Sequence, residues 1–125
     1  FPAGHADVPD AYRAAGHPVL VPGDMGTASY VLVGLPAALE KTFGSSCHGA
    51  GRVMSRAAAS KQVQGKELQQ RLRKQGVYVH GGSWEGLAEE APEAYKDIDR
   101  VVRAMECAGV ARRVAKAVPI GVIKG

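Results

Sequence analysis

Glycine and proline interrupt this chain so often that no long helix or strand can form. Its 125 residues include 16 glycines and 7 prolines. Both end regular structure, glycine through its backbone freedom and proline through its missing N–H. What lies between the breaks is a series of short segments. Residues 1–28, punctuated by Pro2, Pro9, Pro18 and Pro22, read as mostly loop with an edge strand at 18–21. Residues 29–33, β-branched and aromatic between Gly26 and Gly34, predict a buried strand. A short helical turn is expected at 36–40 and a helix at 52–60. A second helix is expected at 65–75, with Leu68 and Leu72 four apart and Gly76 as its stop. Residues 77–80 alternate as a strand, and 81–86 read as a loop around Trp84. A third helix is predicted from Pro92 to about Cys107, with Tyr95, Ile98, Val102 and Met105 at three- and four-residue steps and Gly109 ending it. One or two closing strands fall within 110–124. Short strands mixed with about three helices make the expected fold class α+β.

The apolar fraction of 46% supports a core, and a chain this long buries roughly two thirds of its unfolded surface as one domain. The opening segment FPAGHADVPD has no periodicity and reads like a chain cut at a loop. It lacks the basic start and apolar run of a signal peptide, and no stretch approaches the ~20 apolar residues of a membrane span. The sequence therefore predicts a soluble chain with no membrane partner. Cys47 and Cys107 stand far apart with no paired spacing, which predicts free thiols in a reducing cytoplasm rather than a disulfide or zinc framework. A net charge of +4 favours polyanionic partners.

The run Ser45 to Arg52, Ser-Ser-Cys-His-Gly-Ala-Gly-Arg, places His48 on a glycine-rich loop ahead of the helix expected at 52–60. Gly49 and Gly51, on either side of Ala50, let the backbone approach a ligand closely, and helix-start N–H groups would point at an anion. Arg52 and Arg56, four apart, are expected on one helical face. An imidazole with a pKa near neutrality can attack phosphorus through its unprotonated nitrogen. The plainer alternative is an exposed turn histidine. The loop Pro22, Gly23, Asp24 and Met25, with Ser29 beyond it, offers hydrogen bonds to a purine or ribose. Lys124 would by composition be a frayed surface charge, but the apolar run 119–123 argues for a tucked-in strand. The acids Glu89, Glu90 and Glu93 form a cluster that could suggest metal binding, but they are expected rather to favour a helix N-terminus around Pro92. His5, His17 and His80 have no ligand spacing, and a thiol nucleophile at Cys47 is the weaker reading, because adjacent loop side chains point apart and no orienting third residue is identifiable.

Four blocks carry a resemblance: PGDMGTASYVLVG (22–34), SSCHGAGRVMSR (45–56), AEEAPEAYKDID (88–99) and PIGVIKG (119–125). Their order resembles the C-terminal end of RtcB-type RNA ligases, about the last quarter of such proteins. The resemblance implies that residues 1–125 form a single C-terminal segment, with the nucleophile- and guanylate-binding part in 29–125. It implies a GTP-dependent ligase joining RNA 2′,3′-cyclic phosphate or 3′-phosphate ends to 5′-hydroxyl ends, in tRNA splicing and RNA repair. His48 would attack the α-phosphate of GTP, giving a covalent histidine–GMP intermediate. Pro22, Gly23, Asp24, Met25, Ser29 and Tyr95 would surround the guanosine, and Lys124 would contact the base. Mn²⁺ would be held by residues of an N-terminal part outside this chain, so the segment alone is expected to be inactive. His80 stands where the resemblance expects an arginine. The alternative class is a non-catalytic nucleotide- or RNA-binding module.

The positive excess is concentrated in one span, where Arg52, Arg56, Lys61, Lys66, Arg71, Arg73 and Lys74 accompany a single acid, Glu67. With no aromatics interleaved for base stacking, phosphate contact or a solvated face are the two readings. If the span grips RNA, neutralising three of these cations flattens the dependence of log affinity on log salt by about 0.7 to 0.9 for each phosphate no longer paired. Filter binding across a salt series reads this directly, and an unchanged slope assigns the span to solvent.

Overall fold

The computed structural model describes residues 1–124. Among them are six α-helices, one 3-10 turn and five strands, an α+β arrangement. Strands β1 (Pro18–Val21), β2 (Ser29–Gly34) and β4 (Ala111–Ala117) form an antiparallel sheet in the order β1-β2-β4. The central strand is the one with the densest β-branched and aromatic content, because only it must bury both edges of its backbone. Its register with β4 slips between Val31 and Leu32. Strands β3 (Tyr78–Gly81) and β5 (Gly121–Lys124) pair in parallel, aligning Gly81 with Lys124.

Two apolar clusters organise these layers. The first joins Val21, Ala28, Tyr30 and Leu32 of the sheet region to Ile98 and Val102 of helix α6 (Ile98–Cys107), with Ala50 and Ala111. The second joins Leu68 and Leu72 of α4 (Gly65–Lys74) to Val77, Val79, Leu87, Ala91 and Met25. The four-residue spacings of Leu68/Leu72 and Ile98/Val102 put each pair on one helical stripe. The segment between β1 and β2 crosses from one cluster to the other: Val21 and Ala28 lie in the first, Met25 in the second.

Several boundaries differ from the sequence reading, each for a local reason. A one-turn helix α1 (Asp10–Arg13) interrupts the N-terminal loop, and the turn after Pro36 extends as α2 (Ala37–Thr42). The helix expected from residue 52 begins later, as α3 (Arg56–Gln62), because Ser55 caps it by accepting the Ala58 N–H. Trp84 lies in a helix, α5 (Trp84–Glu89), not in a loop. Ser83 caps it through the Gly86 N–H, and Leu87 and Ala88 are buried. The continuous helix expected from Pro92 is split. Residues Pro92–Ala94 make a 3-10 turn, Tyr95 is extended, and α6 starts only after Asp97 accepts the N–H groups of Asp99 and Arg100. The C-terminal run does form a strand. Val122 packs on the second cluster while Ile123 is exposed.

Leu72 is 1% exposed and one of its methyl carbons lies 3.0 Å from where a Cβ on Gly26 would stand. Leu72→Ala is expected to cost about 2 to 5 kcal/mol in urea unfolding, the range for deleting a buried leucine. The same cavity would loosen the 22–28 segment, so faster amide exchange at Asp24 to Thr27 is expected with it.

Candidate functional site

The 22–28 segment forms a stiff turn. Asp24 accepts the Gly26 N–H through Oδ1 at 2.8 Å and the Thr27 hydroxyl through Oδ2 at 2.8 Å, while its own N–H donates to Thr27 Oγ1 at 3.2 Å. Gly23 must be glycine here, since a Cβ would meet the Ala28 carbonyl oxygen at 2.3 Å. With the chain held this tightly, one wall of a cavity of about 360 Å³ is set. Pro22, Gly23, Asp24, Met25, Thr27 and Ser29 line it on that side. Glu90 and Tyr95 line a second side, and the strand ends from Ala117 to Lys124 close a third. Met25, which lines the cavity, is also buried in the second cluster.

Seven positions singled out from the sequence thus share one cavity: Pro22, Gly23, Asp24, Met25, Ser29, Tyr95 and Lys124. His48, Gly49, Ala50 and Gly51 are not among its walls. Their loop is nevertheless tied to its rim, because the Ala50 N–H donates to the Pro22 carbonyl at 3.0 Å. Ala50 and Cys47 pack on the first cluster while His48 between them is exposed. Gly51, at φ 75°, turns the chain so that its carbonyl accepts the Lys96 N–H and Arg52 pairs with Tyr95. The loop therefore runs into an extended bridge, not a helix. The expected N–H cradle at a helix start is not formed, since α3 begins four residues further on with its cap filled by Ser55.

The arginines converge all the same, through a carboxylate. Arg52 donates to the Glu89 carbonyl at 2.6 Å, to Glu90 Oε1 and Tyr95 Oη at 3.2 Å each, and to the Met54 carbonyl at 3.1 Å. It also stacks over the Tyr95 ring at 5.0 Å. Arg56 donates to Glu90 Oε1 at 3.2 Å. Tyr95 donates a short hydrogen bond to Glu90 Oε2, and Lys124 Nζ pairs with that oxygen at 3.7 Å. Burial pushes the Glu90 carboxyl up, but the Tyr95 hydroxyl, Lys124, Arg56 and Arg52 outweigh it and hold it below the usual range. Burial and the hydrogen bond to the Glu90 carboxylate push the Tyr95 phenol up, against the pull of Arg52.

Glu90 was misread from sequence as a helix-favouring acid. It sits at the end of α5, two residues ahead of Pro92 and outside the turn whose dipole it was expected to favour. That position was the available signal. In the basic span, Arg71 pairs with Glu93 at 2.5 Å and Arg73 lies over the Tyr78 ring at 5.4 Å, while Lys61, Lys66 and Lys74 are exposed. Both cysteines are free thiols. Among the described residues, no helix is long and apolar enough to cross a membrane.

The stiff turn, the tied histidine loop and the charged C-terminal strand all lie in blocks that match known proteins. A family model described as "tRNA-splicing ligase RtcB" matches residues 1–125. The chain belongs to the RtcB family. It is 56% identical over 125 residues to the tRNA-splicing ligase RtcB of Thermococcus kodakarensis, covering all of this chain and 26% of the relative. The RtcB of Pyrococcus abyssi is 54% identical, with 14% of its length covered, and that of Archaeoglobus fulgidus 53%, with 26% covered. The chain thus spans about a quarter or less of the length of these RtcB relatives.

Since the Glu90 pKa is lower folded than unfolded, its contribution to stability is complete above about pH 4.5, the ordinary glutamate value, and is lost as pH falls through the folded value. Thermal midpoints recorded from about pH 3 to 6 should therefore fall less steeply on the acid side in Glu90→Gln than in the wild type. Parallel acid limbs would contradict this.

Proposed function

We propose that this segment is the nucleophile-bearing part of a GTP-dependent RNA ligase, acting in the cytoplasm in tRNA splicing and RNA repair. The ligase joins RNA 2′,3′-cyclic phosphate or 3′-phosphate ends to 5′-hydroxyl ends. One observation carries the reading: the His48 loop is hydrogen-bonded at Pro22 to the rim of the cavity that contains Asp24, Ser29, Tyr95 and Lys124. Guanosine held there has its phosphates directed along the 22-to-50 seam toward an exposed imidazole. A His48 ring nitrogen attacks the α-phosphorus and pyrophosphate leaves, giving histidine–GMP. GMP passes to the RNA 3′-phosphate, and the 5′-hydroxyl then displaces it, forming the phosphodiester and freeing GMP.

The cavity suits the guanine face. Asp24 has one hydrogen bond on each carboxylate oxygen, which leaves acceptor capacity for the N1–H and amino donors. Lys124 is a donor for O6. Mn²⁺ does not fit this chain's own residues. Among those described, no group of three or more His, Cys, Asp or Glu could hold a metal ion, so no step here is routed through one. Bound metal would supply phosphate charge neutralisation from the rest of the ligase. Segment 1–125 alone is accordingly inactive in this reading. The exposed apolar side chains of Val114 and Ile123 on the last two strands, and of Val118 and Ile120 in the link between them, offer a surface for that remaining part.

The test is a chimaera in which residues 1–125 replace the matching part of the Thermococcus kodakarensis relative, incubated with Mn²⁺ and GTP labelled at the α-phosphate. An acid-labile, alkali-stable protein label that disappears in His48→Ala is expected. Retained GTP binding without label would make the segment a nucleotide-binding module. Lys124→Ala should weaken GTP affinity about ten- to a hundredfold, the loss of a charge-assisted hydrogen bond worth about 1.5 to 3 kcal/mol. Preference over ATP should shrink with it, since adenine has no O6 acceptor, and unaltered preference would remove Lys124 from the base site.

A further inference from the structure

One carboxylate in the cavity wall touches three separate stretches of chain. Glu90 Oε1 accepts from Arg52 and Arg56, which follow the His48 loop, and Oε2 accepts from Tyr95 and faces Lys124 at the C-terminal strand. A carboxylate has about four lone-pair directions in all. Arg52, Arg56 and Tyr95 take three of them and Lys124 faces the fourth, so Glu90 is turned to its protein partners although it lines the cavity. The four partners are not held equally. Arg52, Arg56 and Tyr95 are within hydrogen-bond range, whereas Lys124 at 3.7 Å is an ion pair without a formed hydrogen bond. The ammonium is therefore aligned by Glu90 with its own donors still available. No sequence-local contact could do this, since residues 52, 95 and 124 lie far apart along the chain, and the Glu90 carboxylate contacts all three.

We propose that Glu90 is a positioning residue that sets Tyr95 and Lys124 in the base-reading geometry and locks that pair to the segment after the nucleophile loop. The proposal rests on the nucleotide reading above and adds the residue that preorganises its specificity. Glu90 touches neither base nor phosphate. It acts by keeping two donors aimed before the nucleotide arrives, so that binding does not have to order them. Replacing it by glutamine keeps the size but turns one oxygen into an NH₂ that faces donors. One hydrogen bond becomes donor against donor, and the attraction on Lys124 disappears.

The experiment uses the same chimaera with Glu90→Gln, Lys124→Ala and the double variant, measuring GTP and ATP dissociation constants by calorimetry without metal, then guanylylation kinetics with Mn²⁺. Glu90→Gln is expected to weaken GTP binding about tenfold, the scale of one charge-assisted hydrogen bond, with little change for ATP. The saturated labelling rate should stay within about threefold of wild type, since the histidine loop keeps its own tie at Pro22. Coupling is the decisive readout: in the Lys124→Ala background, Glu90→Gln should cost less than about half as much, on a logarithmic scale, as it does alone. A purely structural role would instead lower GTP and ATP affinity equally, or add fully to Lys124→Ala, and either result overturns the proposal. A Glu90→Gln variant that binds GTP like the wild type also overturns it. If the wild type labels His48 while Glu90→Gln shows one of these results, the positioning role fails alone. A wild type that neither binds GTP nor takes the label removes the ligase reading and this proposal together.

Discussion

The site depends on one short stretch of chain being shared between two cores. Val21 and Ala28 are buried with the antiparallel sheet and α6, and Met25 between them is buried with α4 and β3. Burying the valine and methionine side chains contributes about 1.5 to 3 kcal/mol each and the alanine methyl about 0.8 kcal/mol, so the irregular backbone from 22 to 27 is anchored at three points. The Asp24–Thr27 hydrogen bonds fill in the remaining freedom. A binding turn built in this way has the chemical variety of a loop and the rigidity of the scaffold beneath it.

Electrostatics completes what packing begins. Arg52, Arg56 and Lys124 all face the Glu90 carboxylate, Glu89 lies 3.9 Å from Arg56, and Asp24 lines another side of the cavity, so cations and carboxylates balance around it. Each of the three cations is paired. Arg52 is committed to the structure by four hydrogen bonds and a stacked ring. Arg56, 65% exposed, is the one of the two arginines that faces solvent. The carboxylate thus converts cations that would repel one another into a single fixed array.

Much of this was legible beforehand. β-branched and aromatic content placed β2, alternation placed β3 and the Leu68/Leu72 spacing placed α4, and the glycine stops at Gly76 and Gly109 fall where φ is positive. The loop at Pro22 to Met25, Ser29, Tyr95 and Lys124 was singled out from sequence, and these positions line one cavity. Three errors share a cause. The starts of α3, α5 and α6 are decided by the side-chain caps of Ser55, Ser83 and Asp97. The caps of α3 and α6 compete with the starts expected at Arg52 and Pro92, and that of α5 opens a helix in a stretch whose glycines read as loop. Propensity ranks such alternatives within a fraction of a kcal/mol, so a single side-chain cap selects among them.

What the sequence determined by itself is what local chemistry can specify: short elements between glycine and proline breaks, apolar stripes for two cores, a histidine on a flexible glycine loop, and an excess of positive charge. The role of Glu90 was decided only in three dimensions. An acid has the same local propensities whether it faces solvent or gathers residues 52, 56, 95 and 124, and nothing in its neighbours along the chain separates the two. Only when β5 lies parallel to β3 and Arg52 bridges to Tyr95 do those charges come within a few ångströms of one carboxylate. Coulombic attraction and hydrogen bonding fall off over such distances, so the interaction exists only once the fold has made them neighbours.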